Sequence, residues 1–275
     1  VGIRPGDKVL INFRLDANGK VINDEYTVAS VETETTLLLV AGPTAALNLA
    51  SKVQIKRVFT KDEQIDTLAQ VGSDYNNRRV RMVFPETTKQ GTIVKPGYFL
   101  AAALAGLRAG VVPHQGLTNT EVLGFSDLSD TVLTFTPTQL NRLAEEGYFI
   151  VQQDAVGATP YVRHQLTTDS LSLNTAEDSI TSNVDSISYG LQKALAPYIG
   201  TYNVNTDTVS LVSAAISAEL GFRQTGTRTV RAGNQLNGYT IKSLGINPTF
   251  KDRIDAQIVL DVPYPINFIT ITLVV

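Results

Sequence analysis

The side chains best suited to catalysis in this sequence are two histidines and one serine. His114 lies in a predicted loop and His164 in a predicted strand, and a histidine can act as a general base in either place. Ser126 lies in the string GFSDL, which lacks the last glycine of the GxSxG nucleophile elbow. Because neither histidine has a partner at a motif spacing, we predict no catalytic residue. A hydrolase that uses Ser126 or His114 stays open as an alternative.

The sequence has no motif that would hold a nucleotide or a metal ion. Neither GxxxxGK(S/T) nor GxGxxG occurs, and HExxH is absent. The lack of cysteine excludes disulfides and thiolate metal sites, and two histidines nearly exclude a multi-histidine site. We therefore predict no cofactor and no metal ion.

Arg78, Arg79 and Arg81 form the densest basic cluster. On a strand, Arg79 and Arg81 would share one face. Phosphate binding, a charge contact between subunits and a plain exposed face are the three interpretations. The net charge is −3, and no aromatic residues are interleaved with the arginines. We therefore expect no nucleic-acid partner, and we favour an exposed face or a contact between subunits.

The last ten residues have the pattern of a strand that must be paired. Apolar residues alternate with Thr270 and Thr272 after a break at Pro263 and Pro265. As a free edge, such a segment would aggregate. It is either the last strand of its own sheet or a strand donated to a neighbouring subunit, where main-chain hydrogen bonds give affinity. The predicted donor residues are Phe268, Ile269, Ile271, Leu273 and Val275.

The elements that would carry these residues change in character along the chain. Residues 1–58 predict short strands with tight turns. From Thr60 onward, capping boxes at Thr60–Glu63 and Thr136–Gln139 begin helices that alternate with strands, as in an α/β layer. Between them, residues 98–110 predict a helix that is apolar nearly all round and therefore buried.

The C-terminal part begins with a polar stretch, residues 167–183, which predicts a loop or a domain boundary. Two amphipathic helices follow, capped in this prediction by Asn183 and Thr206. Residues 254–262 then alternate as a half-buried strand. The longest apolar runs are too short to cross a bilayer as a helix, so we expect no membrane insertion.

Together these patterns predict a multi-domain chain of mixed α+β and α/β class. The predicted domains are a β-rich module (residues 1–58), an α/β core layer (residues 59–166), and a C-terminal domain of two helices and an antiparallel sheet (residues 167–275) that ends in the strand 266–275. The 275 residues begin at Val1 and contain one methionine, Met82. We therefore expect a processed or partial chain.

Several short motifs occur in a fixed order over about residues 60–275. They are GYFLAAALAG at 97–106, LTN at 117–119, LG at 123–124, LNRL at 140–143, LAPYIG at 195–200 with Asn203, and Val262-Pro263 before the apolar end. In this order they resemble the contractile tail sheath proteins of bacteriophages and related injection devices. Residues 1–58 match no such pattern, and the resemblance implies a variable inserted or peripheral module there. It also implies that the core layer, residues 59–166, is incomplete at its N-terminal side.

The resemblance implies a structural subunit that polymerises as stacked hexameric rings around a tail tube. Contraction would drive the tube through the host envelope, with terminal arms completing the sheets of neighbouring subunits and with no need of nucleotide. The implied partners are further copies of the chain, the tail tube protein, and the baseplate and tail terminator proteins. The implied location is the virion tail, assembled in the host bacterial cytoplasm.

Three alternatives to this interpretation stay open. The first is a baseplate-proximal or sheath-terminating subunit that forms a single ring. The second is the α/β hydrolase of unknown substrate. The third assigns carbohydrate or receptor binding to residues 1–58. The family's core domain is sometimes called subtilisin-like, but no motif here assembles a serine-protease triad.

Overall fold

The structure is a computed structural model that divides into two compact units, Val1–Gln64 and Ile65–Val275. The described residues are 3–15, 21–33, 36–40, 52–56, 58–128, 135–267 and 269–272. The tight turn that the string Asp16-Ala17-Asn18-Gly19 predicts lies outside them. The predicted domain boundaries at 58 and 166 stay predictions.

The first unit holds one antiparallel sheet of four strands in the order β3-β2-β1-β4. Val9 and Val28, almost fully buried on adjacent strands, form the centre of its small core. The predicted short strands are therefore present, in one sheet. The strands are β1 (Lys8–Leu15), β2 (Val21–Thr33), β3 (Thr36–Leu39) and β4 (Lys52–Lys56).

The second unit begins with an α/β layer built on two small sheets. In the first sheet β9 pairs with β5 in parallel and with β10 antiparallel; the second has the order β7-β6-β8. Both predicted capping boxes form. The elements are α1 (Lys61–Tyr75), β5 (Met82–Phe84), β6 (Thr87–Gln90), β7 (Ile93–Pro96), α2 (Gly97–Ala109), β8 (Asp127–Leu128), α3 (Pro137–Glu145), β9 (Tyr148–Gln152) and β10 (Tyr161–His164).

Helix α2 is not buried all round as predicted. Only Leu100 and Leu104 are fully buried, against the sheets, whereas Tyr98 is 67% exposed. The helix packs through one side, and its opposite apolar side meets solvent within this chain. The predicted strand at 79–84 is also shorter than expected, because the strand begins at Met82 and Arg79 and Arg81 precede it.

The C-terminal part contains two long helices packed on a two-stranded hairpin. Their apolar faces enclose a second core around Ile187, Ile216 and Leu220, and Tyr239 and Ile258 of the hairpin pack against it. The predicted two-helix and antiparallel-sheet arrangement is therefore present. The elements are α4 (Leu173–Ala176), α5 (Asp178–Leu195), a 3-10 turn (Ala196–Tyr198), α6 (Thr206–Thr225), β11 (Gly238–Ile246) and β12 (Ile254–Asp261).

Two predicted helix starts were wrong. Helix α5 begins at Asp178, so Asn183 lies inside it, fully buried, and donates from Nδ2 to the Gln235 carbonyl at 2.7 Å. Helix α6 is capped by Asn205, whose Oδ1 accepts from the Thr208 amide at 2.8 Å. The polar stretch before Asn183 has the composition of a loop, but several of its polar side chains are buried, and Thr167 Oγ1 donates to the Thr175 carbonyl at 2.7 Å.

A buried carboxylate joins the α/β layer to the C-terminal helices. Asp178 is completely buried at the first turn of α5, where the helix dipole favours a negative charge. It pairs with Arg81, just before β5, and with Arg108 at the end of α2, whose Nε lies 3.4 Å from Asp178 Oδ2. Burial lowers the pKa of Arg108, an effect that Asp178 opposes and Arg81 reinforces. The carboxylate thus compensates two cations from two elements.

We predict that Asp178→Ala lowers the free energy of unfolding by about 3–5 kcal/mol, because it leaves the largely buried guanidinium of Arg108 without its counter-charge. Asp185→Ala is the matched control. Asp185 lies on the same helix as Asp178 and pairs with Arg78 and Arg79, but all three of these side chains are partly exposed. Its effect should be far smaller. Urea unfolding of both variants measures the difference, and equal losses would contradict the role given to Asp178.

Candidate assembly surface

The C-terminal tail leaves β12 and pairs with no strand in the part of the chain that the structure describes. Residues 262–267 and 269–272 are outside any strand. Ile269 is 80% exposed and Ile271 is 77% exposed. The other predicted donor residues, Phe268, Leu273 and Val275, lie outside the described residues. The structure thus gives no support to the alternative of a last strand in the chain's own sheet, and donation to a neighbour stays a prediction.

The hairpin of β11 and β12 is a two-stranded sheet whose outer edges could each accept a further strand. Its two strands pair from Gly238–Asp261 to Ile246–Ile254 with one irregularity. One face packs on helices α5 and α6, and no third strand joins either edge among the described residues. A two-stranded sheet is marginal by itself, and its free edges are templates for pairing. Sequence reasoning found the alternation of β12 but did not identify the hairpin as an acceptor.

The root of the tail, residues 263–267, contacts both the short helix α4 and the α/β layer. Tyr264 donates its hydroxyl hydrogen to the side-chain oxygen of Asn174. Pro265 packs against Gly116 so closely that a Cβ added to Gly116 would lie 3.1 Å from the Pro265 Cβ. The root and the segment 114–123 line an open groove of about 810 Å³. The tail is therefore docked at its root and exposed beyond it.

The arginine cluster has partners within the chain. Arg78 and Arg79 both pair with Asp185, with nitrogen–oxygen distances of 3.1 Å, and Asp185 raises the pKa of Arg79 through its hydrogen bonds and charge. Arg81 pairs with Asp178. These contacts hold helix α5 on the α/β layer. The predicted charge contact with a neighbouring subunit stays a prediction.

Ser126 and His114 have structural surroundings. The Ser126 hydroxyl accepts from the Gly91 amide at 2.7 Å and lies 3.2 Å from the Lys89 carbonyl, so it holds the turn between β6 and β7. His114 is nearly buried, and its Nε2 bonds to the Gly233 carbonyl at 3.0 Å. Burial lowers the pKa of His114. The hydrolase alternative gains no support from these contacts.

His164 lies at the root of the tail. Its Nε2 is 2.8 Å from Oε1 of Glu177, a completely buried carboxylate just before α5. Asn267 of the tail reaches the same carboxylate oxygen. Sequence reasoning treated His164 as a lone histidine and missed this cluster. Its members are far apart in sequence, and no spacing rule connects them.

Neither a membrane helix nor a metal cluster is found in the described ranges. No helix there is long and apolar enough to span a bilayer. No group of three or more histidine, aspartate or glutamate side chains there is arranged to hold a metal ion.

Comparison with known proteins finds similarity in structure only. No protein-family model matches the chain, and no curated protein matches it. A chain of the anti-feeding prophage baseplate superposes with a TM-score of 0.56 at 15% identity, over 78% of this chain and 66% of that chain. A chain of the anti-feeding prophage helical sheath in its contracted state superposes with a TM-score of 0.55 at 17% identity, over 72% of this chain and 56% of that one.

The sheath tail protein of Desulfitobacterium hafniense aligns over 94% of this chain and 77% of its own length at 13% identity, but its TM-score of 0.48 is too low to support an argument. The fold assignment therefore depends on the two prophage chains. This chain has the fold of a contractile-sheath subunit, and the resemblance seen in the sequence is confirmed at the level of the fold. It spans less than two thirds of the length of either prophage chain.

We predict that acid destabilises the protein through His114. With Nε2–H donated to Gly233, protonation would place a charge on the buried Nδ1, which has no hydrogen-bond partner. Because the folded-state pKa is below the unfolded value of about 6.5, this stability is present above about pH 6.5 and lost as the pH falls through the folded pKa. Urea unfolding between pH 7 and 5 should show a shallower decline for His114→Gln than for the wild type. Parallel declines would contradict the assignment.

Proposed function

We propose that this chain is a structural subunit of a contractile tail sheath. The observation that carries the proposal is the exposed alternating tail, which has no strand partner in the described chain although 72% of the chain superposes on a sheath subunit. In a phage tail or a related injection device, such subunits would stack as hexameric rings around a tail tube. They would be assembled in the bacterial cytoplasm and become part of the tail.

The tail would act by strand donation to a neighbouring copy. Ile269 and Ile271 fall on one face of an extended strand, and Thr270 and Thr272 on the other. Added to an edge of the hairpin, such a strand would place its isoleucines on the side that packs on the helices. The main-chain hydrogen bonds would provide affinity, and the buried isoleucines would fix the register.

The work of contraction would be stored in the lattice of subunits. The sequence has no phosphate loop, which agrees with a device that uses no nucleotide. Subunits would change their mutual contacts, and the paired tails would keep them linked while the sheath shortens and drives the tube through the host envelope. Partners other than the chain itself would be the tube, baseplate and terminator proteins.

A baseplate-proximal or sheath-terminating subunit is the second candidate. The superposition on the baseplate chain, with a TM-score of 0.56, is as good as that on the helical sheath chain, with 0.55. The two roles differ in the assembly that they build. Electron microscopy of the purified protein should show long tubes for a sheath subunit and single rings for a baseplate or terminating subunit.

We predict that deletion of residues 269–275 abolishes tube formation and leaves the fold intact. Ile269 and Ile271 are exposed, and the hydrogen bonds of the described chain include none from residues 269–272, so the fold does not depend on them. Electron microscopy and sedimentation measure assembly, and thermal unfolding measures the fold. Long tubes formed by the shortened chain would contradict strand donation.

A pair of charge substitutions tests which face of the donated strand is buried. Ile271→Asp should block assembly, because a carboxylate would be buried against apolar helices at a cost of several kcal/mol. Thr272→Asp adds the same charge on the opposite face and should be much milder. Since both positions are exposed in the isolated chain, neither change should alter monomer stability. Equal defects in assembly would rule out a strand buried on one side.

A further inference from the structure

Asn267 makes the most specific contacts of the root, because its side chain is bonded at both ends. Its Nδ2 donates to Glu177 Oε1 at 2.6 Å, and its Oδ1 accepts from Thr118 Oγ1 at 3.0 Å. Thr118 belongs to the α/β layer, whereas Glu177 lies between α4 and α5 of the C-terminal part. The side chain therefore fastens the tail to both parts at once.

The acceptor of this bond is held rigidly. Glu177 is completely buried, its backbone bridges to Leu166, and its amide donates to the Leu173 carbonyl at 3.2 Å. A buried carboxylate is unfavourable unless hydrogen bonds compensate it. Oε1 receives Asn267 and lies against His164, while Oε2 has no hydrogen-bond partner. The Asn267 amide therefore satisfies a carboxylate that has few other partners.

The described residues after Asn267, residues 269–272, differ from the root in both exposure and hydrogen bonding. Two positions beyond Asn267 the tail is exposed, and no hydrogen bond of the described chain involves residues 269–272. Asn267 is thus the last described residue with a root contact, and Ile269 is the first described residue beyond it.

We propose that Asn267 is a positioning residue that anchors the tail to Glu177 and so fixes the place and direction in which the exposed strand leaves the α/β layer. The proposal depends on the proposed function for the identity of the partner, a second copy of this chain. The anchor itself is a property of the isolated chain. A tail anchored at Asn267 loses less conformational entropy when it pairs than a tail that is free beyond Pro265.

The anchor also determines which part of the subunit receives a force that is applied to the tail. Without it, a pull on the tail would act on the root contacts of Tyr264 and Pro265 and, once these broke, on the end of β12. With it, the pull acts on Glu177 and passes to the start of α5 and to β10, through His164. The link between copies would then move with the core of the subunit.

The absence of cysteine allows a direct measurement, because introduced cysteines can be labelled without competition. Spin labels at Gln192→Cys and Thr270→Cys would report the distance between helix α5 and the tail by pulsed electron paramagnetic resonance. Gln192 is exposed and lies about 21 Å along the helix from its start. An anchored tail gives a narrow distance distribution in the unassembled protein.

Asn267→Asp in the labelled protein should broaden this distribution. The new carboxylate keeps the acceptor for Thr118 but loses the donor to Glu177 and faces a like charge. Loss of the Asn267 contact moves the last docked residue back to Pro265, which still packs on Gly116, so the tether of the label lengthens from about three residues to about five. The width should then rise about 1.3-fold, because the extent of a flexible chain grows with the square root of its length. The Glu177→Gln/Asn267→Asp double variant reverses donor and acceptor and should restore the narrow distribution.

Thr272→Asp is the control, because it adds the same charge beyond the anchor and should leave the width unchanged. An unchanged width in Asn267→Asp would overturn the proposal. A double variant that stays broad would also overturn it. So would general unfolding of Asn267→Asp, seen by circular dichroism, because the contact would then hold the core rather than the tail.

Assembly separates this proposal from the proposed function. If both hold, Asn267→Asp raises the protein concentration needed for tube formation, and the double variant lowers it again. If the width responds as expected but removal of residues 269–275 leaves assembly intact, the anchor stands and strand donation fails. If that removal abolishes assembly but the width does not respond to Asn267→Asp, strand donation stands and the anchor fails.

Discussion

The ion triad of Asp178, Arg81 and Arg108 is the interaction on which the second unit depends. The two cores of this unit lie on either side of a polar boundary, and the triad crosses it. A buried ion pair is weak evidence for stability in itself, because desolvation offsets much of its attraction. Its geometry is more informative. It fixes the start of helix α5 against two elements of the α/β layer, and Glu177, the residue before it, becomes the fixed point to which the tail is attached.

Sequence reasoning succeeded where the signal was local. Both capping boxes, the strands of the first unit, the alternation in β12 and the alternating tail depend on neighbours a few residues apart, and all are visible in the sequence. It failed where polar residues are buried. The stretch before Asn183 looks like a solvated loop in the sequence, yet Glu177, Asp178 and Asn183 are all buried. Their partners lie tens of residues away, and no local pattern encodes them.

The candidate site was predictable in part for the same reason. The exposed alternating strand is a local feature, whereas the contact of Asn267 with Glu177 joins residues 90 positions apart. Helix α2 shows the opposite error. Its composition indicated burial, and the structure leaves Tyr98 and its neighbours exposed. A helix that is apolar all round is expected to be buried, but the sequence of one chain does not say whether its own fold or another molecule covers the helix.

An exposed tail with the pattern of a strand can aggregate or pair with the wrong edge, and the two prolines before it prevent it from pairing with its own chain. The hairpin of the same chain is the nearest free edge, and β12 ends at Asp261, directly before the tail. Pro263 and Pro265 have no amide hydrogen to donate, so β12 cannot continue through them as a paired strand. Docking of Pro265 on Gly116 then leads the chain toward the α/β layer instead. The prolines and the root contacts thus act together to keep the strand unpaired within its own chain, as donation to another copy would require.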